Sequence, residues 1–344
     1  MKLFTRLFTC SLMLSLILNE AQAQDPHFNQ YYTFASQLNP SLVGNYDGSY
    51  RLAALYRKQW NAALGKAGYE TIGADVDFSF LEGYLRHSKL AVGVSFLNDR
   101  SGTAALNYLN ATISVAYHQG FGKDGSHRLS IGLQGGYIQK TINDQTFGDQ
   151  FVNHDQTLTT THESVRTGFS NGDFSAGLYW RSNFHDKVRF GLGVGAYHLV
   201  QPSEQTINTG ISHGNQYRRI TVDFNLEAFL TKNKKVSLSP EFIFMTQGPA
   251  MEITPGLFVG YYFQTGFRKN NSIHLGLRYR VGDAVIPMAM VEFRNVRLGF
   301  GYDVTVSDLS ASTKNRGAFE ISLSYVGESI KYFKGSKSLP SRRF

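Results

Sequence analysis

The sequence predicts an all-β protein, a transmembrane antiparallel β-barrel of about 14 strands preceded by an irregular N-terminal segment. Three observations lead to this fold class. Apolar and polar residues alternate along most of the chain, and many alternating runs last ten residues or more. The longest connections between these runs also fall at one end of the predicted barrel.

The run Arg189–His198 shows the alternation clearly. One face is aliphatic or aromatic and the other is mostly glycine: Phe190, Leu192, Val194 and Ala196 against Gly191, Gly193, Gly195 and Tyr197. Successive side chains of a strand point to opposite faces of its sheet, so this run predicts a strand with one apolar face. Similar runs begin near positions 72, 129, 220, 273 and 298.

A soluble β-sandwich and a transmembrane barrel both show such alternation. Strand length favours the barrel, because a tilted membrane strand needs about 9–11 residues whereas globular strands usually have about 5–6. The predicted strands are 50–60, 69–80, 88–99, 106–119, 127–140, 172–183, 187–199, 218–230, 235–246, 251–264, 271–282, 285–294, 296–306 and 317–326.

The distribution of the connections also favours a barrel. An even number of strands places both termini in the periplasm, so the odd-numbered connections face outward. The two longest connections, about 141–171 and 200–217, are the fifth and the seventh. Several even-numbered connections are tight turns, at 184–186, 232–234 and 294–296. Long outer loops and short inner turns are typical of outer-membrane barrels.

The N-terminus has the pattern of a secretory signal peptide. Lys2 and Arg6 precede an apolar run from Leu7 to Leu18, and Ala21-Gln22-Ala23 provides a small-residue cleavage site. We expect residues 1–23 to be removed, and the only cysteine, Cys10, with them. This excludes disulfides and thiol chemistry from the mature chain.

The mature chain then divides into an N-terminal periplasmic segment (24–49), an outer-membrane barrel (50–326) and a basic periplasmic tail (327–344). No stretch approaches the ~18 continuous apolar residues of a membrane-spanning helix. Loss of the signal peptide lowers the formal net charge from +8 to +7. For an exported chain we read this charge as scattered surface residues, and we expect no nucleic-acid partner.

The segment 24–49 combines two features that rarely occur together in a free tail. Pro26 and Pro40 interrupt regular structure, yet the segment carries several large apolar side chains: Phe28, Tyr31, Tyr32, Phe34 and Leu38. Such a tail would expose an unusual apolar area to water. We expect it to pack, either as a plug in the periplasmic mouth of the barrel or against a periplasmic partner. A flexible leader is the alternative.

The alternation also places charges of both signs inside the barrel. Asp75 and Asp77 share one inward face, and several arginines face inward on other strands: Arg51, Arg57, Arg128, Arg278, Arg280 and Arg297. Two carboxylates at this spacing suit acid–base chemistry. Opposite charges in a barrel lumen more often pair with each other, so we expect paired lumen charges and no catalytic site.

Other patterns in the sequence lack the context that chemistry requires. The glycines of 191–195 lack the helix and the acidic residue of a dinucleotide loop, and no Gly-x-Ser-x-Gly elbow is present. The fifth connection contains potential metal ligands without a rigid frame: His154, Asp155, His162 and Glu163. We therefore expect no cofactor, no metal and no enzymatic activity.

Both ends of the mature chain carry uncommon residues in a fixed order. An Asp-Pro start leads through an aromatic cluster to an Asn-Pro element and a strand ending in Tyr-Arg-x-Gln-Trp, with the motif residues Asp25, Pro26, Phe28, Gln30, Tyr31, Asn39, Pro40, Gly44, Arg57 and Trp60. A Gly-Tyr-Asp-Val-Thr strand (301–305) and an AFEISLSY strand (318–325) follow near the C-terminus. This text resembles the PorP/SprF family, outer-membrane components of the type IX secretion system of Bacteroidota.

The resemblance implies a non-enzymatic role in type IX secretion. Members of that family work with the core secretion machinery, and some export, or hold at the cell surface, a large protein with a C-terminal sorting domain, including gliding adhesins. The implied partners are outer-membrane lipid, the type IX machinery and a secreted protein of this kind. The ten motif residues are then candidates for a periplasmic contact.

Alternation and connection lengths alone fit a porin, a transporter, an outer-membrane enzyme or a secretion component, and the resemblance selects the last. The second reading is a channel for small solutes, because lumen glycines and arginines suit an anion path. A general machinery component and a substrate-dedicated paralogue both fit the family.

Overall fold

Fourteen strands close into an antiparallel barrel in the part of the chain that the computed structural model describes. The described residues are 25–65, 68–81, 87–102, 106–122, 125–142, 146–147, 163–164, 167–184, 187–202, 215–263 and 271–328. The predicted signal peptide, most of the predicted tail, and the three residues His154, Asp155 and His162 lie outside them.

The barrel strands follow chain order, and the first closes on the last. They are β1 (Tyr50–Gln59), β2 (Tyr69–Phe80), β3 (Ser88–Ser101), β4 (Leu106–Phe121), β5 (His127–Ile142), β8 (Thr167–Phe184), β9 (Val188–Tyr197), β10 (Arg219–Phe229), β11 (Val236–Gln247), β12 (Ala250–Tyr262), β13 (Ser272–Arg280), β14 (Ala284–Phe293), β15 (Val296–Thr305) and β16 (Arg316–Gly327). A separate two-residue pair, β6 (Thr146–Phe147) with β7 (Glu163–Ser164), lies in the connection between β5 and β8. The predicted fold class, an antiparallel barrel of about 14 strands, is confirmed.

The largest difference from the predicted strand boundaries is at the sixth barrel strand. It was predicted to begin at residue 172, but β8 begins at Thr167 and pairs with β5 as far as Ile142. The added residues include Gly168, Ser170 and Asn171, which are typical of turns. Cross-strand pairing with β5 overrides that local preference.

The wall has an apolar outer face and a polar inner face. On β2, Ile72 and Phe78 are 49% and 53% exposed, whereas Asp75 and Asp77 are fully buried. Around the barrel, most large apolar residues of the wall face outward and the buried charged residues face the lumen, although some apolar wall residues such as Leu55, Leu97 and Ile286 also face inward. This is the arrangement of a transmembrane barrel, whose outer face meets lipid.

The two ends of the barrel differ. We call the end that carries the connections after β1, β3, β5, β9, β11, β13 and β15 the loop end, and the opposite end the turn end. The long connections 143–166 and 198–218 are at the loop end. At the turn end, β14 and β15 are separated by residues 294–295 alone. The chain enters β1 and leaves β16 at the turn end.

Residues 25–49, which we call the lumen segment, lie inside the barrel and form its apolar core together with side chains of the wall. The main buried cluster combines side chains of the segment with side chains of the wall: Phe28, Tyr31, Phe34, Ala35, Leu38 and Leu42 with Leu55, Leu97, Tyr108, Ile138, Tyr179, Ile243 and Met245. The core that a soluble protein would place between two sheets is therefore in the lumen.

The lumen segment is irregular except for two single turns of 3₁₀ helix, Ala35–Gln37 and Pro40–Leu42. The second has a local cause. Asn39 is its N-cap, and the Asn39 side chain accepts a hydrogen bond from the Ser41 backbone N–H (3.0 Å). Pro40 occupies the first helical position, where a missing N–H is harmless.

Two single α-helical turns, Asn61–Leu64 and Ser310–Thr313, lie at the loop end. None of the helices in the described residues has the length and apolar character that crossing a membrane requires.

Candidate functional site: the lumen segment and the charged barrel interior

The lumen segment runs from the loop end to the turn end. At the loop end, the Asp25 backbone N–H donates to Oε1 of Gln247 (3.0 Å), the last residue of β11. At the turn end, the backbone O of Tyr46 accepts from Nζ of Lys89 (2.8 Å), the second residue of β3. The segment therefore crosses the full height of the barrel before β1 begins. It is not confined to the turn-end mouth.

A buried ion pair holds the turn-end half of the segment. Arg51 donates through Nε to Oδ1 of Asp77 and through Nη2 to Oδ2 of Asp77, both at 2.9 Å. Oδ2 of Asp77 also accepts from the Gly44 backbone N–H (2.8 Å), and the Tyr46 hydroxyl donates to the Asp77 backbone O (2.8 Å). Asp75, beside this pair, accepts from the Ser36 hydroxyl (3.1 Å). One wall carboxylate thus fixes the segment backbone and a wall arginine together.

A second carboxylate, Glu320 on β16, holds the loop-end half. Its two oxygens accept the backbone N–H groups of Asn29 (2.8 Å) and Gln30 (2.7 Å). Arg57 bridges Glu320 and Asp303 at 3.2 and 3.0 Å. Both acidic groups are buried, so the arginine supplies the opposite charge that a buried carboxylate requires.

Asn29 lies at the centre of a further group of contacts. Its side-chain Oδ1 accepts from Nη2 of Arg280 (2.6 Å), its Nδ2 donates to Asp303, and its backbone O accepts from Arg278. Nη2 of Arg278 also pairs with Glu241 at 2.5 Å. The loop-end half is consequently joined to β11, β13, β15 and β16 at once.

The middle of the segment packs directly on glycines of the wall. A Cβ added at Gly132 would lie 2.4 Å from the Pro40 backbone, and one added at Gly177 would lie 2.0 Å from the Asn39 side chain. Nδ2 of Asn39 donates to the Leu178 backbone O (2.9 Å). Glycine is needed at both wall positions because the segment occupies the space of a side chain.

The loop end contains a cluster of ionised side chains around Asp25. His198 lies between two carboxylates, with Nε2 2.6 Å from Asp25 and Nδ1 3.0 Å from Asp173. Nη1 of Arg219 lies 3.0 Å from Asp25. A small open cleft lies beside them and is lined in part by His27 and Glu252.

The protonation of this cluster follows from its charges. Burial acts to raise the pKa of Asp25, but His198 and Arg219 outweigh it and hold that pKa below its ordinary value. Burial acts to lower the pKa of His198, and its carboxylate neighbours reverse the effect and raise it to about 9. Burial and the charge of Arg280 lower the pKa of His27 to about 4. At neutral pH, His198 is charged and His27 is neutral.

The ten motif residues do not form one surface. Phe28, Gln30, Tyr31, Asn39 and Pro40 are buried by the wall, while the remaining five are distributed along the lumen and at the loop end: Asp25, Pro26, Gly44, Arg57 and Trp60. Trp60 follows β1 in a left-handed conformation (φ +58°) and packs edge-on against Tyr69, with ring centroids 5.1 Å apart. The contacts seen for these residues are with the barrel, and their contact with a periplasmic partner stays a prediction.

The inward arginines and aspartates are in the positions that the alternation indicates. Asp75, Asp77, Arg278 and Arg280 are buried in the lumen with the contacts given above. Nη2 of Arg297 is 3.1 Å from Glu292. Arg128 differs from the rest, because no hydrogen bond or ion pair joins its side chain to another described residue. Within the described part of the chain, no three or more His, Cys, Asp or Glu side chains are grouped to hold a metal ion.

Sequence reasoning missed the residues at which the segment and the wall meet, chiefly Glu320, His198 and Arg219. Alternation would have placed Glu320 and Arg219 on the lumen face of their strands. No pattern in the sequence indicates that Glu320 meets Asn29, which is 291 residues away. His198 lies inside the predicted strand 187–199, where the alternation puts it on the apolar outward face with Ala196. In the structure β9 ends at Tyr197 and His198 is buried, so that placement was wrong.

Comparisons with known proteins identify the family. The solved structures similar to this chain include the toluene transporter TodX of Pseudomonas putida (8% identity, 88% of this chain and 94% of that one, TM-score 0.49). They also include the toluene transporter TbuX of Ralstonia pickettii (10%, 85% and 92%, 0.47) and a FadL homologue of Pseudomonas aeruginosa (10%, 85% and 94%, 0.45). Among curated proteins, none matches. The model of the family described as type IX secretion system membrane protein PorP/SprF matches residues 20–325, and the chain belongs to that family.

Proposed function

We propose that this protein is a non-enzymatic outer-membrane component of the type IX secretion system. In this role it supports the export or the surface anchoring of a protein with a C-terminal sorting domain. The observation that carries the proposal is the family match over residues 20–325, which spans the lumen segment and all but the last two residues of the barrel strands. Its partners are outer-membrane lipid, the secretion machinery and the exported protein.

The filled lumen supports an anchoring role over a conducting one. The lumen segment is held at its turn-end half by Asp77 and at its loop-end half by Glu320. Its aromatic side chains pack with wall residues in the apolar core of the lumen. A 14-strand barrel occupied in this way is too narrow to pass a folded domain. The exported protein therefore crosses the membrane through another pore, and this barrel supports its export or anchors it without passing it through its own lumen.

The asymmetry of the barrel supports an orientation. Outer-membrane barrels place long loops outside and short turns in the periplasm, so the loop end faces outward. The strand ends that adjoin the two longest connections then lie on the side available to an exported protein. The turn end, where the chain enters β1 and leaves β16, faces the periplasmic machinery.

Deletion of the gene tests the proposal, with the cell-surface and culture-medium proteins of mutant and wild type compared by mass spectrometry. Broad loss of proteins with C-terminal sorting domains would assign a general machinery role. Loss of one or two large surface proteins, with their accumulation in the periplasm, would assign a dedicated role. Unchanged protein profiles in the deletion strain would refute the secretion proposal. Complementation with the wild-type gene is the control.

A channel for small solutes is the second candidate, and the basic character of the lumen near Arg128 favours an anion as its solute. The lumen segment makes the two candidates separable. If the protein is an anchor, its full-length form should not conduct in planar bilayers, and conductance should appear only after deletion of residues 25–49. Steady anion conductance by the full-length protein would favour the channel.

A further inference from the structure

Basic side chains are concentrated on one side of the lumen near the turn end. They lie on five neighbouring strands, β3, β4, β5, β8 and β9, and are Lys89, His118, Arg128, Arg181 and Arg189. Arg128 and Arg181 are direct cross-strand partners on β5 and β8. Both face inward, because Leu129 and Trp180, their chain neighbours, are exposed on the outer face. We call these two residues the arginine pair.

Most members of the cluster have polar partners, but the arginine pair does not. Lys89 donates to the Tyr46 backbone, His118 to Ser130 or Val43, and Arg189 pairs with Glu227 at 3.0 Å. Among the described residues, neither Arg128 nor Arg181 makes a hydrogen bond or an ion pair through its side chain. Nε and Nη1 of Arg128 and Nη1 of Arg181 are buried without an acceptor.

Among the described residues of the wall, no carboxylate forms an ion pair with either arginine. At the level of the pair, the flanking cross-strand positions are Gly120 on β4 and Gly191 on β9, which have no side chain. The carboxylate within electrostatic range of Arg181 is Asp47, on the lumen segment, and Arg181 is only 7% exposed. Like charges directly opposite in a sheet are destabilising, and buried donors without acceptors are costly.

We propose that Arg128 and Arg181 form a binding site for one oxyanionic group, a phosphate or a carboxylate, that enters the lumen from the turn end. A guanidinium group is a planar fork that binds such oxygens in pairs, so two adjacent forks fit a single tetrahedral or planar oxyanion. Arg128 is half-buried and gives access from the mouth, while the more deeply buried Arg181 forms the inner side of the site. An anion there removes the repulsion and supplies the missing acceptors.

The test measures thermal unfolding of the full-length protein in neutral detergent micelles, at constant ionic strength adjusted with sodium chloride. Inorganic phosphate is the first probe, and an acetylated, amidated triglutamate peptide is the second. A ligand that binds only the folded state raises the unfolding temperature, and the rise grows with the logarithm of its concentration above the dissociation constant. We expect wild type to be stabilised, and we expect Arg128→Gln and Arg181→Gln to weaken the apparent affinity at least about tenfold.

Two controls separate binding from a structural role. Arg218→Gln removes an exposed positive charge at the loop end and should retain the wild-type response. Without a probe, both glutamine variants of the pair should be at least as stable as wild type, because the repulsion is gone. If a glutamine variant does not fold, Arg181→Lys keeps the charge and loses the fork, and it should still respond more weakly than wild type.

The outcomes are distinct. Stabilisation by phosphate alone assigns a free phosphate ligand, and stabilisation by the peptide as well assigns an acidic polypeptide. A wild-type protein that responds to neither probe beyond sodium chloride would overturn the site. So would an undiminished response in both glutamine variants.

Discussion

The contact between Pro40 and Gly132 provides a sharp test of the lumen segment. In Gly132→Ala, the new Cβ would lie 2.4 Å from the Pro40 carbonyl carbon and from the Ser41 nitrogen. Both are backbone atoms, which cannot rotate away as a side chain can. Ordinary contact begins near 3.4 Å, so the segment must shift by about 1 Å or leave the wall. Such overpacking costs about 1–3 kcal/mol, which lowers the ratio of docked to undocked segment about 5- to 150-fold.

Limited proteolysis measures this ratio. A protease that cleaves after aromatic residues meets several sites in the segment, including Phe28, Tyr31 and Phe34, and all three are buried while the segment is docked. When undocking is fast compared with cleavage, the cleavage rate follows the undocked population. Gly132→Ala should therefore be cut within residues 25–49 about 5 to 150 times faster than wild type.

Gly301→Ala is the matched control. Gly301 also lies in the lumen next to the segment, but a Cβ there would meet Asn29 and Met288 at 3.8 Å, an ordinary contact. It should be cut at the wild-type rate. The electrophoretic shift between folded and heated barrels verifies that the wall of each variant is intact. A wild-type cleavage rate in Gly132→Ala, or equal acceleration in both variants, would refute the close packing.

Three further predictions concern the buried charges and the course of the segment. Asp77→Asn removes the carboxylate that accepts two hydrogen bonds from Arg51 and leaves Arg51 with Asp75 at 3.8 Å, so it should lower the free energy of unfolding in urea by about 3 kcal/mol. Asp283→Asn, at the more exposed carboxylate that pairs with Arg280, should cost about 1 kcal/mol or less. Equal losses in the two variants would contradict this. The pKa of His198, about 9 against 6.5 ordinarily, makes its contribution of about 3 kcal/mol complete below pH 6.5 and lost as the pH rises through 9. Urea unfolding across this range should show the loss in wild type and not in His198→Gln. An epitope inserted before Asp25 should bind antibody on intact cells, because Asp25 lies at the loop end; binding only after permeabilisation would place that end in the periplasm.

The strands were predictable because the physical signal repeats. A lipid-facing wall requires an apolar residue at every second position, and each strand carries this alternation in its own sequence. Asp75 and Asp77 could therefore be placed in the lumen from β2 alone, and Arg278 and Arg280 from β13 alone. The first residues of β8 were missed because Gly168 and Asn171 are typical of turns. Only their pairing with β5 makes these residues part of the strand.

The course of the lumen segment could not be derived in the same way. Its sequence has no period, because each side chain meets a different part of a curved wall. Its aromatic residues indicated that it packs, but the pairing of Asn29 with Glu320 and of Asp25 with His198 depends on residues far apart in the chain. The sequence places Gly132 and Gly177 within strands. The need for glycine there comes from the close contacts with Pro40 and Asn39, which only the structure shows.

The path of the lumen segment also constrains how the molecule is assembled. The segment crosses the lumen and the chain then continues into β1, so the barrel surrounds residues 25–49 of its own chain. The ring closes where β1 pairs with β16, from Tyr50 and Gly327 to Gln59 and Ala318. These are the barrel strands farthest apart in the chain, and such distant pairings form slowly. A barrel that closed while empty would have to draw Asp25 through its whole height. Wrapping the wall around the segment before the β1–β16 seam closes avoids that step, so we expect the seam to be the last part of the wall to form.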